Sequence, residues 1–235
     1  MGNDINIFLM PRAAIFGGSF NPPHLGHLIA AQAAIAAADL DRFYWVPTRY
    51  PPHKSACGLA PLTQRAYMLR LALADNPNNR VVCEPATASG YAIDTFAFLR
   101  DREPTFQWIW LLGLDAFARL PYWYRRQELV PAMTWLVVPR CSFATPSALD
   151  ELVADGVPPG NALESFYVKT IFERTLAHLH DQGIPIQTHL LSGPVVDISA
   201  TAIRARYATG QSCAHWVPVA VDRYITETGL YREIL

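Results

Sequence analysis

Short apolar runs rich in β-branched and aromatic residues alternate with longer helical stretches along most of this chain, and no other feature narrows its fold as much. Arg12–Phe16, Arg42–Val46, Arg80–Cys83, Phe106–Leu112 and Met133–Val138 read as strands, several of them apolar at almost every position. A strand that is apolar on both faces belongs in a parallel sheet covered from both sides. Helical spacing fills the intervals: Leu25–Ala38, Leu62–Ala74, Ile93–Asp101, and Ala116–Val130 broken near Pro121. Glu164–Gln182 reads as an amphipathic helix, Thr188–Leu191 as a last strand, and Ala200–Thr209 with Val219–Glu227 as a closing helical region. Such alternation predicts an α/β fold, a doubly wound parallel sheet whose ligands bind beyond the carboxyl ends of the strands.

A length of 235 residues, 51% of them apolar, suits one large domain with a substantial core. We expect a flexible N-terminal extension over residues 1–11, with Met10 a candidate start, and a single domain over 12–235. Within it, residues 141–185 form a variable excursion, richest in Ser, Ala, Pro and Gly over 141–165. The formal net charge of -1 gives no global attraction to nucleic acid or to an anionic membrane. Cys57, Cys83, Cys141 and Cys213 show neither paired nor metal-like spacing, which points to reduced thiols and a cytoplasmic protein. No basic leader, cleavage pattern or membrane-length apolar run is visible. A homo-oligomer remains open.

The first strand ends in an unusual way, Phe16-Gly17-Gly18-Ser19-Phe20-Asn21-Pro22-Pro23-His24-Leu25-Gly26-His27. Gly17 and Gly18 are expected to supply backbone freedom and close ligand approach. Pro22 and Pro23 stiffen the loop, and Pro23 sets the chain for helix entry. His24 and His27, three apart, share one side of the first helical turn, beside free N–H groups and the positive end of the helix dipole. That is a donor-rich pocket suited to a phosphate chain. No G-x-G-x-x-G follows the strand, and no G-x-x-x-x-G-K-[ST] occurs, so the two commonest nucleotide loops are excluded. By itself an H-x-x-H pair is more often capping or surface than functional, and no third ligand for a metal lies at suggestive spacing.

His24-Leu25-Gly26-His27 opening a helix resembles the HxGH nucleotidyltransferase superfamily, and Ile198-Ser199-Ala200-Thr201-Ala202-Ile203-Arg204 resembles its second signature, I-S-x-T-x-I-R. Ser199 is also a good N-cap, and Arg204 presents a forked guanidinium from the second turn. Further stretches are similar to bacterial nicotinate-nucleotide adenylyltransferases: Phe43–Pro47, Tyr50-Pro51-Pro52-His53-Lys54, Leu62–Leu69, Leu112-Gly113-Leu114-Asp115-Ala116-Phe117, Leu120-Pro121-Tyr122-Trp123-Tyr124 and Gly229-Leu230-Tyr231. The resemblance implies a Rossmann-like doubly wound parallel sheet of the nucleotidyltransferase type, with a C-terminal helical region.

It also implies a reaction, transfer of AMP from ATP to nicotinate mononucleotide, giving nicotinate adenine dinucleotide and pyrophosphate on the way to NAD. Mg2+ would accompany ATP, with no dedicated protein ligands evident. By resemblance His27, His24, Lys54 and Arg204 are the candidate catalytic residues. Gly17, Gly18, Ser19, Phe20, Gly113, Asp115, Ile198 and Ser199 join His24, His27 and Arg204 around ATP. His53, Lys54, Tyr91, Ala92, Thr95, Trp123 and Tyr124 would hold the mononucleotide, with the Trp123 indole stacked on the pyridine. Two positions depart from the family pattern. Gly90-Tyr91-Ala92 stands where many relatives read S-Y-T, so a hydroxyl near the nicotinate carboxylate is missing and backbone N–H groups would serve instead. Asn21 replaces the commoner Asp. The rival readings are the same chemistry on nicotinamide mononucleotide or on phosphopantetheine, a nucleotide-binding regulator without turnover, and a metal hydrolase built on the two histidines.

Overall fold

The computed structural model describes residues 10–49, 58–74, 76–83, 89–139, 161–192 and 198–232. The strands are β1 (Arg12–Gly18), β2 (Arg42–Pro47), β3 (Asn79–Val81), β4 (Gln107–Gly113), β5 (Thr134–Val138) and β6 (Gln187–Leu190). They form one sheet in the order β3-β2-β1-β4-β5-β6, with every neighbouring pair parallel. The helices are α1 (Leu25–Ala38), α2 (Leu62–Leu73), α3 (Ala92–Arg100), α4 (Leu114–Phe117), α5 (Arg126–Leu129), α6 (Asn161–Asp181), α7 (Ala200–Ala208) and α8 (Val219–Thr228). No described helix is long and apolar enough to cross a membrane.

Alternate strand residues enter opposite layers, as the two-residue repeat of a strand requires. Ala13, Ile15, Tyr44, Val46, Trp108, Trp110, Trp135 and Val137 face one core, which Phe96 of α3, Phe117 of α4 and Leu179 of α6 complete. Ala14, Phe16, Phe43, Trp45, Ile109, Leu111 and Leu136 face the other, against Ala30, Ala31 and Ala34 of α1 and Leu69 of α2. The alanine face of α1 carries nothing beyond Cβ, so the helix can lie close to the Phe16 and Trp45 rings. A third cluster joins α2 to the C-terminal helices through Met68, Ile203, Tyr207, Val221 and Ile225. Truncating a fully buried strand residue such as Leu111 to Ala in a core of this kind costs about 2–5 kcal/mol.

Strand pairing also positions the crevice. β1 pairs with β2 as far as Gly18↔Pro47, but with β4 only as far as Phe16↔Leu111. β4 continues beside β5 to Gly113↔Val138. Beyond Phe16 the two central strands therefore part, each following its outer neighbour. The opening lies at their carboxyl ends, where the strand order reverses, the usual place for a ligand in such a sheet.

The expected elements need several corrections. β3 is three residues long and ends at Val81, not Cys83. α6 starts at Asn161, so residues 161–165 belong to a helix and not to a surface loop. The helix expected over 116–130 is broken near Pro121 as expected, but into four short pieces: α4, a 3-10 turn at Leu120–Tyr122, α5, and a second 3-10 turn at Val130–Ala132. Pro121 and Pro131 each withhold a backbone N–H, and Arg125 adopts a left-handed φ of 50°, so no continuous helical ladder can form. Residues 1–9 of the expected N-terminal extension, and 141–160 of the expected excursion, lie outside the described residues.

Candidate active site

The loop after β1 uses its glycines differently from the sequence expectation. Neither Gly17 nor Gly18 has a positive φ; the left-handed residue is Phe20, at 45°. Gly18 is needed for packing, whereas Gly17 has room for a Cβ at ordinary contact distance and lines the cavity. A Cβ on Gly18 would meet the Phe20 ring at 3.1 Å, and one on Gly17 would lie 3.4 Å from Trp110. Phe20 is buried against Phe16, with ring centroids 5.4 Å apart, and forms a floor for His27 at 4.9 Å. Asn21-Pro22 is cis, and both prolines precede the N-cap, His24.

The two imidazoles lie against each other with centroids 3.7 Å apart and planes 31° from parallel. His24 is 1% exposed, whereas His27 is half-buried. The backbone N–H of His24 donates to Nδ1 of His27 at 3.2 Å. In a neutral imidazole that accepts at Nδ1, the hydrogen resides on Nε2, so Nε2–H becomes the donor. One capping bond thus sets the tautomer of the more accessible ring.

Arg204 enters from the far end of the chain. Ser199 is the N-cap of α7, its hydroxyl accepting from the Ala202 N–H at 3.5 Å, and Arg204 follows in the second turn. Its Nη1 donates to the Asn21 carbonyl at 2.9 Å, and its Nη2 to the Thr201 hydroxyl at 3.3 Å. The two signature segments therefore meet at one end of the sheet. The Asn21 side chain ties the same loop to two more segments. Its Nδ2 donates to the Gly58 carbonyl at 2.8 Å, while Oδ1 accepts from the Ala60 N–H at 3.1 Å and the Tyr231 hydroxyl at 2.7 Å.

Arg65 lies beneath that loop and is 1% exposed. Nε donates to the Ala60 carbonyl at 2.8 Å and Nη1 to the Ser19 carbonyl at 2.7 Å. No carboxylate pairs with it among the described residues, and burial lowers its pKa from the usual guanidinium range. A buried cation satisfied by carbonyls acts as a clamp on backbone. Sequence reasoning quoted Arg65 within a motif but gave it no role. A signal was present, since Arg65 shares the inward face of α2 with Ala66, Met68 and Leu69.

A cavity of about 840 Å3 opens in the crevice between β1 and β4. Gly17, Trp110 and Leu112 line it from the strands, and Tyr91, Ala92 and Thr95 from the start of α3. Thr95 is buried, at 6% exposure. Tyr122, Trp123, Tyr124, Arg125 and Arg126 line the facing wall in unbroken succession. A helix would turn such consecutive residues to different sides, so the broken 116–130 segment is what brings them to one surface. Trp123 stands edge-on to Trp110 and Trp135, with centroids 6.1 and 6.0 Å away, and this packing fixes the indole plane. The rings of Tyr91 and Tyr124 lie 4.5 Å apart, 35° from parallel.

Gly113 ends β4 as the N-cap of α4, and Asp115 is exposed in its first turn. Ile198 packs beside the third core cluster just ahead of Ser199. His53 and Lys54 lie outside the described residues. Arg126 and Gln182 escaped sequence reasoning. Arg126 Nε donates to Gln182 Oε1 at 2.6 Å, a contact between segments whose approach no local pattern announces.

Known proteins place this geometry in context. A family model described as cytidylyltransferase-like matches residues 15–206. A protein of Trichormus variabilis named "Probable nicotinate-nucleotide adenylyltransferase" is 38% identical over 226 residues, covering 95% of this chain and 99% of its own length. One of the same name from Gloeobacter violaceus is 39% identical over 225 residues, 94% of this chain and 96% of its own. Among solved structures, Plasmodium falciparum nicotinic acid mononucleotide adenylyltransferase complexed with NaAD matches with a TM-score of 0.66 at 16% identity, over 94% of this chain and 98% of that one. So distant a likeness speaks to the fold, which is the α/β nucleotidyltransferase fold. Near-full-length identity well above 30% speaks to descent, and the chain belongs to the nicotinate-nucleotide adenylyltransferase family of cytidylyltransferase-like proteins.

Proposed function

We propose that the protein transfers AMP from ATP to nicotinate mononucleotide, giving nicotinate adenine dinucleotide and pyrophosphate in NAD biosynthesis. The observation that carries this reading is the 2.9 Å bond from Arg204 Nη1 to the Asn21 carbonyl, which joins the two signature segments; of the loop after β1, Gly17 lines the cavity. In the reaction a phosphate oxygen of the mononucleotide attacks the α-phosphorus of ATP. The bond from that phosphorus to the oxygen joining it to the β-phosphorus breaks, and pyrophosphate leaves with that oxygen and the bonding electrons. The attacking phosphate is already ionised near neutrality, so no general base is required. Catalysis then rests on alignment and on donors aimed at the charge that shifts during transfer.

His27 is assigned to the α-phosphate, its Nε2–H made a donor by the His24 capping bond. His24, buried against that ring, holds its plane and would reach phosphate only if the ring moved. Arg204 and Ser199 are assigned to the β/γ end, with the 17–20 loop shaping the phosphate pocket and Arg65 fixing that loop from below. Gly113 and Asp115, which do not line the cavity, are assigned to the nucleotide by the motif alone, while Trp123 is assigned to stack on the pyridine with Tyr91, Ala92, Thr95 and Tyr124 around it. Lys54, with His53, is proposed to reach a phosphate from the sequence that follows β2. Magnesium enters with ATP as part of the substrate. Phosphate oxygens and water would supply most of its ligands, as is usual for magnesium carried by a nucleotide. The unbridged Cys83 and Cys213 thiols fit a cytoplasmic setting.

Pyrophosphate release is the test, with ATP and magnesium held constant and nicotinate or nicotinamide mononucleotide as acceptor. Rapid release with the acid supports the reading. A large preference for the amide moves the substrate, and nucleotide binding without release with either acceptor replaces enzyme by regulator.

A further inference from the structure

We infer that Arg126, held by Gln182, is the residue that reads the pyridine carboxylate and so separates the acid mononucleotide from its amide; this rests on the adenylyl-transfer reading and deepens it. Arg119, Arg125 and Arg126 all line the cavity that Trp123 walls, and no Asp or Glu lines it among the described residues. The three guanidiniums are not equivalent. Arg125 is already engaged by Glu128, Nε and Nη2 donating to its two carboxylate oxygens at 2.8 and 2.5 Å. Arg119 is exposed, and its guanidinium has no hydrogen bond among the described residues to fix it.

Arg126 alone is both half-buried and oriented. Its Nε donates to Gln182 Oε1 at 2.6 Å, while Gln182 Nε2 donates to the Pro121 carbonyl at 3.4 Å, which assigns the two ends of that amide. Both Nη groups make no hydrogen bond among the described residues, which leaves a pre-aimed fork in an aromatic-walled cavity. A guanidinium carries donors only. It can grip a carboxylate with two charge-assisted bonds, but a carboxamide offers it one oxygen and one like-minded donor. The hydroxyl that Ala92 lacks is thereby replaced by a charge from the opposite wall.

Binding of the two mononucleotides, followed by tryptophan fluorescence without ATP, tests this independently of turnover. The unaltered protein should bind the acid more tightly. In Arg126→Gln the acid should weaken about 100-fold and the amide less than about threefold, collapsing the ratio. Gln182→Ala removes only the positioning bond and should shrink the ratio about 10-fold with Arg126 intact. If Arg126→Gln proves unfolded, Gln182→Ala decides alone. An unchanged acid-to-amide ratio, or equal losses for both ligands, overturns the assignment, the latter handing Arg126 to the phosphate they share. Absence of pyrophosphate release in the unaltered protein would instead refute adenylyl transfer and leave the binding ratio readable.

Discussion

The Asn21 side chain ties the phosphate-side loop to the 58–60 segment and to the C-terminal Tyr231, so Asn21→Ala should have an outsized cost. Asn21 is 4% exposed and Tyr231 3%. Truncation strips the acceptor from two buried donors, the Ala60 N–H and the Tyr231 hydroxyl. Each orphan costs about 1–3 kcal/mol, so the expected loss is about 4 kcal/mol. In a chain of this length that lowers Tm by roughly 8–16 °C. Tyr231→Phe is milder, because Asn21 Oδ1 keeps its bond from Ala60; about 1 kcal/mol is expected. The double variant is decisive. With Asn21 already truncated the tyrosine hydroxyl has no acceptor, so removing it should be neutral or stabilising. Thermal and urea unfolding of the four proteins by circular dichroism closes the cycle. A Tyr231→Phe cost of about 1 kcal/mol that persists unchanged in the Asn21→Ala background would show that the two groups are not coupled, and the hub argument would fail.

Three more outcomes follow from the same geometry. His27→Ala should lower kcat by about 10²–10³, the range for loss of one transition-state donor, with circular dichroism unchanged; near-normal turnover in the folded variant removes His27 from its role. Trp123→Ala should raise KM for the mononucleotide roughly 10-fold and leave KM for ATP nearly constant, while matching rises would displace the pyridine from that wall. Burial raises the pKa of both Tyr207 and Tyr231, helped at Tyr207 by its bond to Asp222. A phenol with its folded pKa above the unfolded value of about 10 stabilises the protein below that pH and ceases to do so above it. The urea midpoint should therefore fall as pH rises beyond about 10, less steeply in Tyr231→Phe, and a flat midpoint there would contradict the assigned burial.

The sequence determined whatever is settled within a few residues. Strand and helix periods fixed the sheet class, because an apolar run such as Ala13–Phe16 can satisfy both its faces only between two helical layers. That His24 and His27 share one side of the first turn, and the Ser199 cap, were legible for the same reason, since both are settled within a single turn. Asn21 stands out in the sequence only as a departure from the commoner Asp, yet its hydrogen bonds reach residues 37 to 210 positions away. Arg65 was visible as a charge on an apolar helix face, but the carbonyls that accept from it were not. The tertiary structure alone decided where β1 and β4 separate, which side chains the broken segment around Pro121 turns inward, and that Arg126 meets Gln182. Local signals depend on backbone propensity and side-chain period. Long-range contacts depend on how whole layers pack, and that information is distributed over the entire core.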